Sequence, residues 1–264
     1  MGIQAVLFDL DDTLLWDDRS VKEAFEATCR AAADRYPSVD LAELEQAVRR
    51  EARALYESYE TFPFTKMIGI NPFEGLWARF SQGEHPSFRK LEALAPEYRT
   101  ASWTRGLKAL GIDDPQLGYE LGERFPAERR SRPIVYEETF EVLSQLKDKY
   151  RLLLLTNGSP DLQKEKLAGV PELAPYFDHI VISGEFGEGK PAASIFRHAM
   201  ELLKIRPDEG VMIGDKLTTD ILGSNGVGMR NMWINRHGIS RTDDIVPSFE
   251  IVSLRDIQGI IEQL

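Results

Sequence analysis

The chain has 264 residues, 42% of them hydrophobic, and its 43 acidic residues outweigh 32 basic ones to leave a formal net charge of -11. That length suits one large domain or a core with a smaller companion, able to bury a sizeable core. The acidic balance, with no run of Lys and Arg, excludes an electrostatic footprint for nucleic acid but leaves small anionic ligands open.

Ile3 to Phe8 (IQAVLF) is a continuous apolar run, which predicts a strand buried on both faces and ending at Asp9. From Asp17 to about Arg130 the pattern turns helical. Val21, Phe25, Cys29, Ala32 and Tyr36 share one helix face, and Leu41, Leu44, Val48, Ala52, Leu55 and Tyr59 another. Ser20 with Glu23 reads as a capping box opening the first helix. Pro63, Pro72, Pro86, Pro96 and Pro115 divide the remainder into shorter helical pieces.

After Ile134 strands and helices alternate. A helix carrying Phe140, Leu143, Leu146 and Tyr150 leads into a strand at Arg151 to Thr156. Further strands are expected at His179 to Ser183, Val211 to Gly214, Asn231 to Asn235 and Glu250 to Ser253. Helices fall near Asp161 to Ala168, Ala192 to Lys204, Thr218 to Asn225 and Leu254 to Leu264. This order predicts an α/β protein: a doubly wound parallel sheet with right-handed crossovers, into which the helical block is inserted. The expected division is a core of residues 1–16 and 133–264 and an inserted domain of residues 17–132. No internal repeat or low-complexity tract interrupts it.

Open parallel sheets bind ligands beyond the carboxyl ends of their strands. Four such places are polar together: Asp9 and Asp11; Thr156-Asn157-Gly158; Lys190; and Gly214-Asp215 through Asp220. Converging carboxylates repel and raise one another's pKa unless a cation joins them, and a hard divalent ion, magnesium, is the natural candidate. Thr156, amides near Asn157 and Gly158, and Lys190 would then hold phosphate oxygens. A carboxylate shielded in this way can attack an anionic ester while its neighbour does acid and base work.

These stretches resemble the motifs of the haloacid dehalogenase superfamily phosphatases. Asp9-Leu10-Asp11-Asp12-Thr13 meets Asp-x-Asp-x-Thr; Thr156 follows an apolar strand; Lys190-Pro191 supplies the third motif; Gly214-Asp215 through Asp220 supplies the fourth, all in the family's order. Ala192-Ala193 departs from the Asp-Pro that many relatives carry after Lys-Pro, but the lysine is present. The resemblance implies a Rossmann-like core with a helical cap of the first type. It implies that Asp9 is nucleophile and magnesium ligand, and that Asp11 protonates the leaving alcohol, then activates water, giving the metal only its backbone carbonyl. Asp215 would ligate magnesium, Asp220 would support the ligands or orient Lys190, Thr13 would support the first motif, and Thr156 with the following amide would bind phosphate. The implied reaction is magnesium-dependent hydrolysis of a small phosphorylated metabolite through an aspartyl phosphate, on phosphoserine, a sugar phosphate or a nucleoside monophosphate. Phosphoryl transfer as in mutases, C-halogen hydrolysis, and a non-catalytic binding role are the alternatives.

The remaining signals have plainer readings. Cys29 alone excludes an intramolecular disulfide and favours a reducing compartment. Residues 2 to 10 are too short and too acidic at their end for a signal peptide, and no stretch approaches a membrane span, so a cytoplasmic location is expected. Asn157-Gly158-Ser159 is formally a glycosylation sequon, but a phosphate loop fits a cytoplasmic chain better, and Ser159-Pro160 reads as a helix start. Asp12, Asp17 and Asp18 read as loop solubility and helix N-terminal charge. The glycines from Gly223 to Gly228 fit no dinucleotide fingerprint, and His85, His179, His198 and His237 show no metal spacing. Phe73, Trp77 and Arg79 are candidates for a substrate entrance, with core packing the stronger reading.

Overall fold

The computed structural model describes residues 2–241 and 244–264; Met1, Thr242 and Asp243, which the expected core segments include, lie outside the described residues. The strands are β1 (Ala5–Phe8), β2 (Arg151–Thr156), β3 (His179–Ile182), β4 (Gly210–Gly214), β5 (Arg230–Ile234) and β6 (Phe249–Ile251). They pair in parallel in the order β3-β2-β1-β4-β5-β6. β1 sits in the middle, with Phe8 opposite Leu154 on one side and Ile213 on the other. Every residue of β1 and β4 is buried, as their unbroken apolar runs require for strands covered on both faces. The connections leave β1 toward β2 and β3, then return to its other side for β4. That reversal puts the crevice of the sheet at the carboxyl ends of β1 and β4.

The helices are α1 (Asp17–Arg35), α2 (Leu41–Ser58), α3 (Phe62–Ile68), α4 (Pro72–Gly75), α5 (Pro86–Ala109) and α6 (Pro115–Arg130). They continue with α7 (Thr139–Lys147), α8 (Pro160–Gly169), α9 (Ser183–Phe186), α10 (Ala193–Leu203), α11 (Leu222–Gly226) and α12 (Ile257–Ile261). Among the described residues no helix is long and apolar enough to cross a membrane.

Two compact units divide the chain. One holds the sheet: the chain up to Trp16, Ile134–Gly158 and Val170–Leu264. One face of that sheet buries Leu7, Leu153, Leu155 and Met212 with Phe196, Ala199 and Leu203 of α10. The other unit is helical: Asp17–Pro133 together with Ser159–Gly169. Chain order alone assigns α8 to the sheet, but Leu162 of α8 is part of the helical core.

The helical core is aromatic: Phe25 lies 4.5 Å from Phe125 and 5.8 Å from Trp103, centroid to centroid. Val48, Ala52 and Leu55 of α2 face it, and Cys29 is buried in it, as the helical periodicity predicts. Trp77 is buried there too, Phe73 packs against it, and Arg79 is exposed. Pro63, Pro72, Pro86 and Pro115 lie in first turns, where the missing amide costs nothing. Pro96 does not divide anything; it lies inside α5, whose buried face of Leu91, Ala95, Tyr98 and Trp103 carries the helix past it.

Two further expectations change. Ser20 is not a cap, since α1 begins at Asp17; its hydroxyl donates to the Arg132 carbonyl at 2.5 Å and accepts from Arg129. Glu23 pairs with Arg19 instead. Asp17 does supply first-turn charge, but it also joins a buried ion chain: it binds Arg129 and lies 3.6 Å from Lys166 Nζ, which reaches Glu74 Oε1 at 2.9 Å. Despite the cost of burial, Lys166 and Arg129 hold the Asp17 carboxyl below the usual carboxylate range.

Candidate active site

The site is assembled within the sheet unit from the ends of β1, β2 and β4 and from the segment between β3 and α10. After β1 the chain turns tightly. The Asp9 amide donates to the Ile213 carbonyl at 2.9 Å, the Leu14 and Leu15 amides return to the Leu10 carbonyl, and the Asp12 amide reaches the Leu15 carbonyl at 2.7 Å. Asp12 occupies the left-handed region at φ 59°, which aspartate tolerates better than most residues, so it serves turn geometry as well as solubility. Thr13 is fully buried, and its carbonyl accepts from Arg236 at 3.4 Å. Arg236 is itself fixed by Glu138 at 2.6 Å and lies 3.7 Å from the Tyr136 ring centroid.

Lys190 is the centre of the arrangement. Its Nζ stands 2.6 Å from Asp9 Oδ1 and 2.7 Å from Asp220 Oδ1, and its side chain is only 2% exposed. Asn157 holds the same residue by its backbone: the Lys190 amide donates to Asn157 Oδ1, and Asn157 Nδ2 donates to the Lys190 carbonyl, both at 2.9 Å. The Lys190-Pro191 peptide is cis. The other oxygen of Asp220 accepts from the Lys216 amide at 3.1 Å. Gly214 makes this approach possible; a Cβ there would lie 2.4 Å from the Asp220 carboxyl carbon. Asp215 follows, with its carbonyl accepting from Trp233 Nε1 at 2.7 Å.

Carboxylate oxygens of Asp9, Asp215 and Asp220 lie within 4.8 Å of one another. Asp11, half-buried in a bridge with Leu15, does not contribute its carboxylate to this group. Burial, then the neighbouring Asp9 and Asp220, push the Asp215 carboxyl well above the usual range. Burial and Asp9 raise Asp220 to about 6 against the pull of Lys190. Burial pulls the Lys190 ammonium down, but Asp220 and Asp9 more than offset it and hold it above the ordinary lysine range. Three carboxylates around one ammonium leave an excess of negative charge in a space with little water, and an all-oxygen donor set suits a hard divalent cation.

Thr156 is fully buried at the end of β2. Beyond it the Gly158 amide donates to Ser183 Oγ at 2.9 Å, so it is committed within the protein rather than held for a ligand. Ser159 donates its hydroxyl to Asp161 at 3.0 Å, and Pro160 opens α8. The structure thus brings Asp9, Lys190, Asp215 and Asp220 together, and ties Asn157 to Lys190. Sequence reasoning missed Trp233, Ser183 and the Glu138-Arg236 pair. Trp233 lies at the end of β5, where the rule of strand ends points; Arg236 and Glu138 carry no local signal.

The haloacid dehalogenase-like hydrolase family matches residues 3–228. The chain belongs to this family. It is 34% identical over 256 residues to a phosphoserine phosphatase of Thermus thermophilus, covering 97% of this chain and 98% of that one. Among solved structures it resembles a HAD phosphatase from Thermococcus onnurineus, at 26% identity, TM-score 0.60 and 98% coverage of both chains. It also resembles a 2-haloacid dehalogenase from Pseudomonas syringae pv. Tomato, at 26% identity, TM-score 0.58 and 99% coverage of both.

Proposed function

We propose that the chain is a magnesium-dependent phosphatase that hydrolyses a small phosphate monoester through an aspartyl phosphate on Asp9. The observation that supports this most is the buried Lys190 ammonium bridging Asp9 and Asp220 beside Asp215. Asp9, the Asp11 carbonyl and Asp215 would hold the magnesium ion, which when bound offsets the charge of the phosphoryl group. Asp220 orients Lys190 through its ion pair with the ammonium.

An Asp9 oxygen attacks phosphorus, and the bond from phosphorus to the ester oxygen breaks. Asp11 gives its proton to the departing alkoxide. Asp11, now a carboxylate, takes a proton from water, whose oxygen attacks the same phosphorus; phosphate leaves and the Asp9 carboxylate is restored. Thr156 Oγ, the Asn157 amide and Lys190 hold the phosphate oxygens through both steps. The helical unit acts as the cap that selects substrate. The name of the Thermus thermophilus relative puts phosphoserine first among candidates, ahead of sugar phosphates and nucleoside monophosphates. The single cysteine, Cys29, is buried and has no second cysteine to pair with, which suits a reducing, cytoplasmic setting.

C-halogen hydrolysis by Asp9 is the second reading, since one similar structure is a dehalogenase. It requires neither the metal nor the acid Asp11, and the acidic cluster favours the phosphatase. A panel of phosphorylated metabolites, with magnesium and with EDTA, separates them. Phosphate release that EDTA abolishes is expected; chloride release from 2-chloropropionate that survives EDTA would overturn the assignment.

A further inference from the structure

The chain crosses between its two units at four places, and one is the peptide joining Gly158 to Ser159. On the near side Gly158 is bonded into the sheet unit, its amide to Ser183 Oγ and its carbonyl to the Gly184 amide at 3.1 Å. Its φ of 151° lies in the region that favours glycine. On the far side α8 is bonded into the helical unit along its length. Asp161 Oδ2 accepts from the Ser81 amide at 2.9 Å, Glu165 pairs with Arg130 at 2.5 Å, and Lys166 reaches Glu74 and Asp17. The turn Thr156–Gly158 therefore belongs to one unit, and the helix that leaves it belongs to the other.

We propose that α8 is a lever and Lys166 a positioning residue: by fixing α8 to the helical unit, Lys166 makes the placement of the phosphate-binding turn depend on the state of that unit. The chain Glu74-Lys166-Asp17-Arg129 draws one charge from each of α4, α8, α1 and α6. Burying such charges is a weak source of stability, but removing a single member is costly because it leaves the others uncompensated. The polar ties of α8 hold the helix within its own unit beyond what the packing of Leu162 supplies, so the chain that leaves Gly158 continues directly into an element fixed to the helical unit. The kinetic part of the argument rests on the phosphatase reading; the mechanical part does not.

The test uses the whole chain. In Lys166→Met, hydrogen exchange across residues 159–169 should quicken by about tenfold or more while α2 and α5 keep their protection. With magnesium and p-nitrophenyl phosphate, KM and the inhibition constant for inorganic phosphate should rise together by about tenfold with kcat changed less than about threefold, because the turn holds phosphate in ground and transition states alike. Lys166→Arg, which restores the cation, should return both toward wild type. Glu165→Gln, at the half-exposed pair with Arg130, should shift the same quantities by about two- to threefold and serves if Lys166→Met does not fold. Quickened exchange with unchanged KM and phosphate inhibition overturns the proposal, and so does unchanged exchange. If the wild-type chain hydrolyses no phosphate ester, the phosphatase reading fails, while the exchange data with inorganic phosphate binding by calorimetry still decide whether the lever exists.

Discussion

Lys190 illustrates how one cation is shared in a buried acidic site. Its ammonium is 2.6 Å and 2.7 Å from two carboxylates, while Asp215 lies beyond its direct reach and has its carboxyl raised by burial and by those same neighbours. Stability should follow pH accordingly. Asp220 titrates at about 6 in the fold against an ordinary value of 3.8, so between those values the folded chain binds more protons than the unfolded one, and stability falls as pH rises through the window. Asp17 and Glu138 are shifted the other way, so their contribution is complete above the ordinary carboxylate range and does not offset the loss. Without metal, stability should drop from about pH 4.5 to about pH 7 by about 2 kcal/mol from Asp220, and Asp215, raised in the same direction, adds to the fall in the thermal midpoint. Magnesium should reduce the drop, since it favours ionised carboxylates. Identical profiles with and without magnesium would contradict the account of the cluster.

Legibility at this scale divides by chemistry. Asp9, Thr156 and Asp215 are legible as candidates because each ends or directly follows an apolar strand and carries a charge or hydroxyl no buried turn needs for itself; Lys190, past α9, stands out by its charge and its Pro191 neighbour. Ser20 is misread, and Asp17 is read only in part, because their partners, Arg129 and Lys166, are more than a hundred residues away, and no local pattern reports a bond of that separation. The commitment of the Gly158 amide to Ser183, across a separation of 25 residues, leaves no local pattern either.

Among the elements, α5 and α6 approach closely because α6 presents glycine. A Cβ on Gly118 would lie 2.8 Å from Thr104 Cα, and one on Gly122 would lie 3.2 Å from the Thr100 amide nitrogen. Gly118→Ala should therefore force the helices apart and cost about 1–3 kcal/mol in urea unfolding. Gly259→Ala, in α12 with nothing within 4 Å, should be neutral or gain up to about 1 kcal/mol. Equal effects of the two substitutions would show that the close crossing is not what holds Gly118. The apolar periodicity made α1 and α2 legible, and the continuous runs made β1, β2 and β4 legible. Strand ends shifted by a residue or two because hydrophobicity marks burial, whereas ladder bonds decide where pairing stops. α5 was not legible through Pro96: a breaker weighs heavily in a local reading, but a buried face on both sides of it outweighs the roughly 3 kcal/mol it costs.

For the whole molecule, the order of strands decides where chemistry can occur, since the connections reverse beside β1, and Asp9 and Asp215 follow the two strands that flank that crevice. The fold class could be read from the alternation of strands and helices after Ile134. The grouping of α8 with the helices could not, because it depends on packing rather than chain order. Substrate identity is hardest to read, since a helical core such as that of Phe25, Trp103 and Phe125 reports packing and names no ligand.

The central claim is that Asp9 carries the phosphoryl group. Acid-quenched peptide mass spectrometry during turnover of p-nitrophenyl phosphate with magnesium tests it most directly. A phosphate adduct on the peptide containing Asp9 is expected, lost with EDTA and absent, together with turnover, in Asp9→Asn. An adduct on another residue, or undiminished turnover in Asp9→Asn, would contradict it.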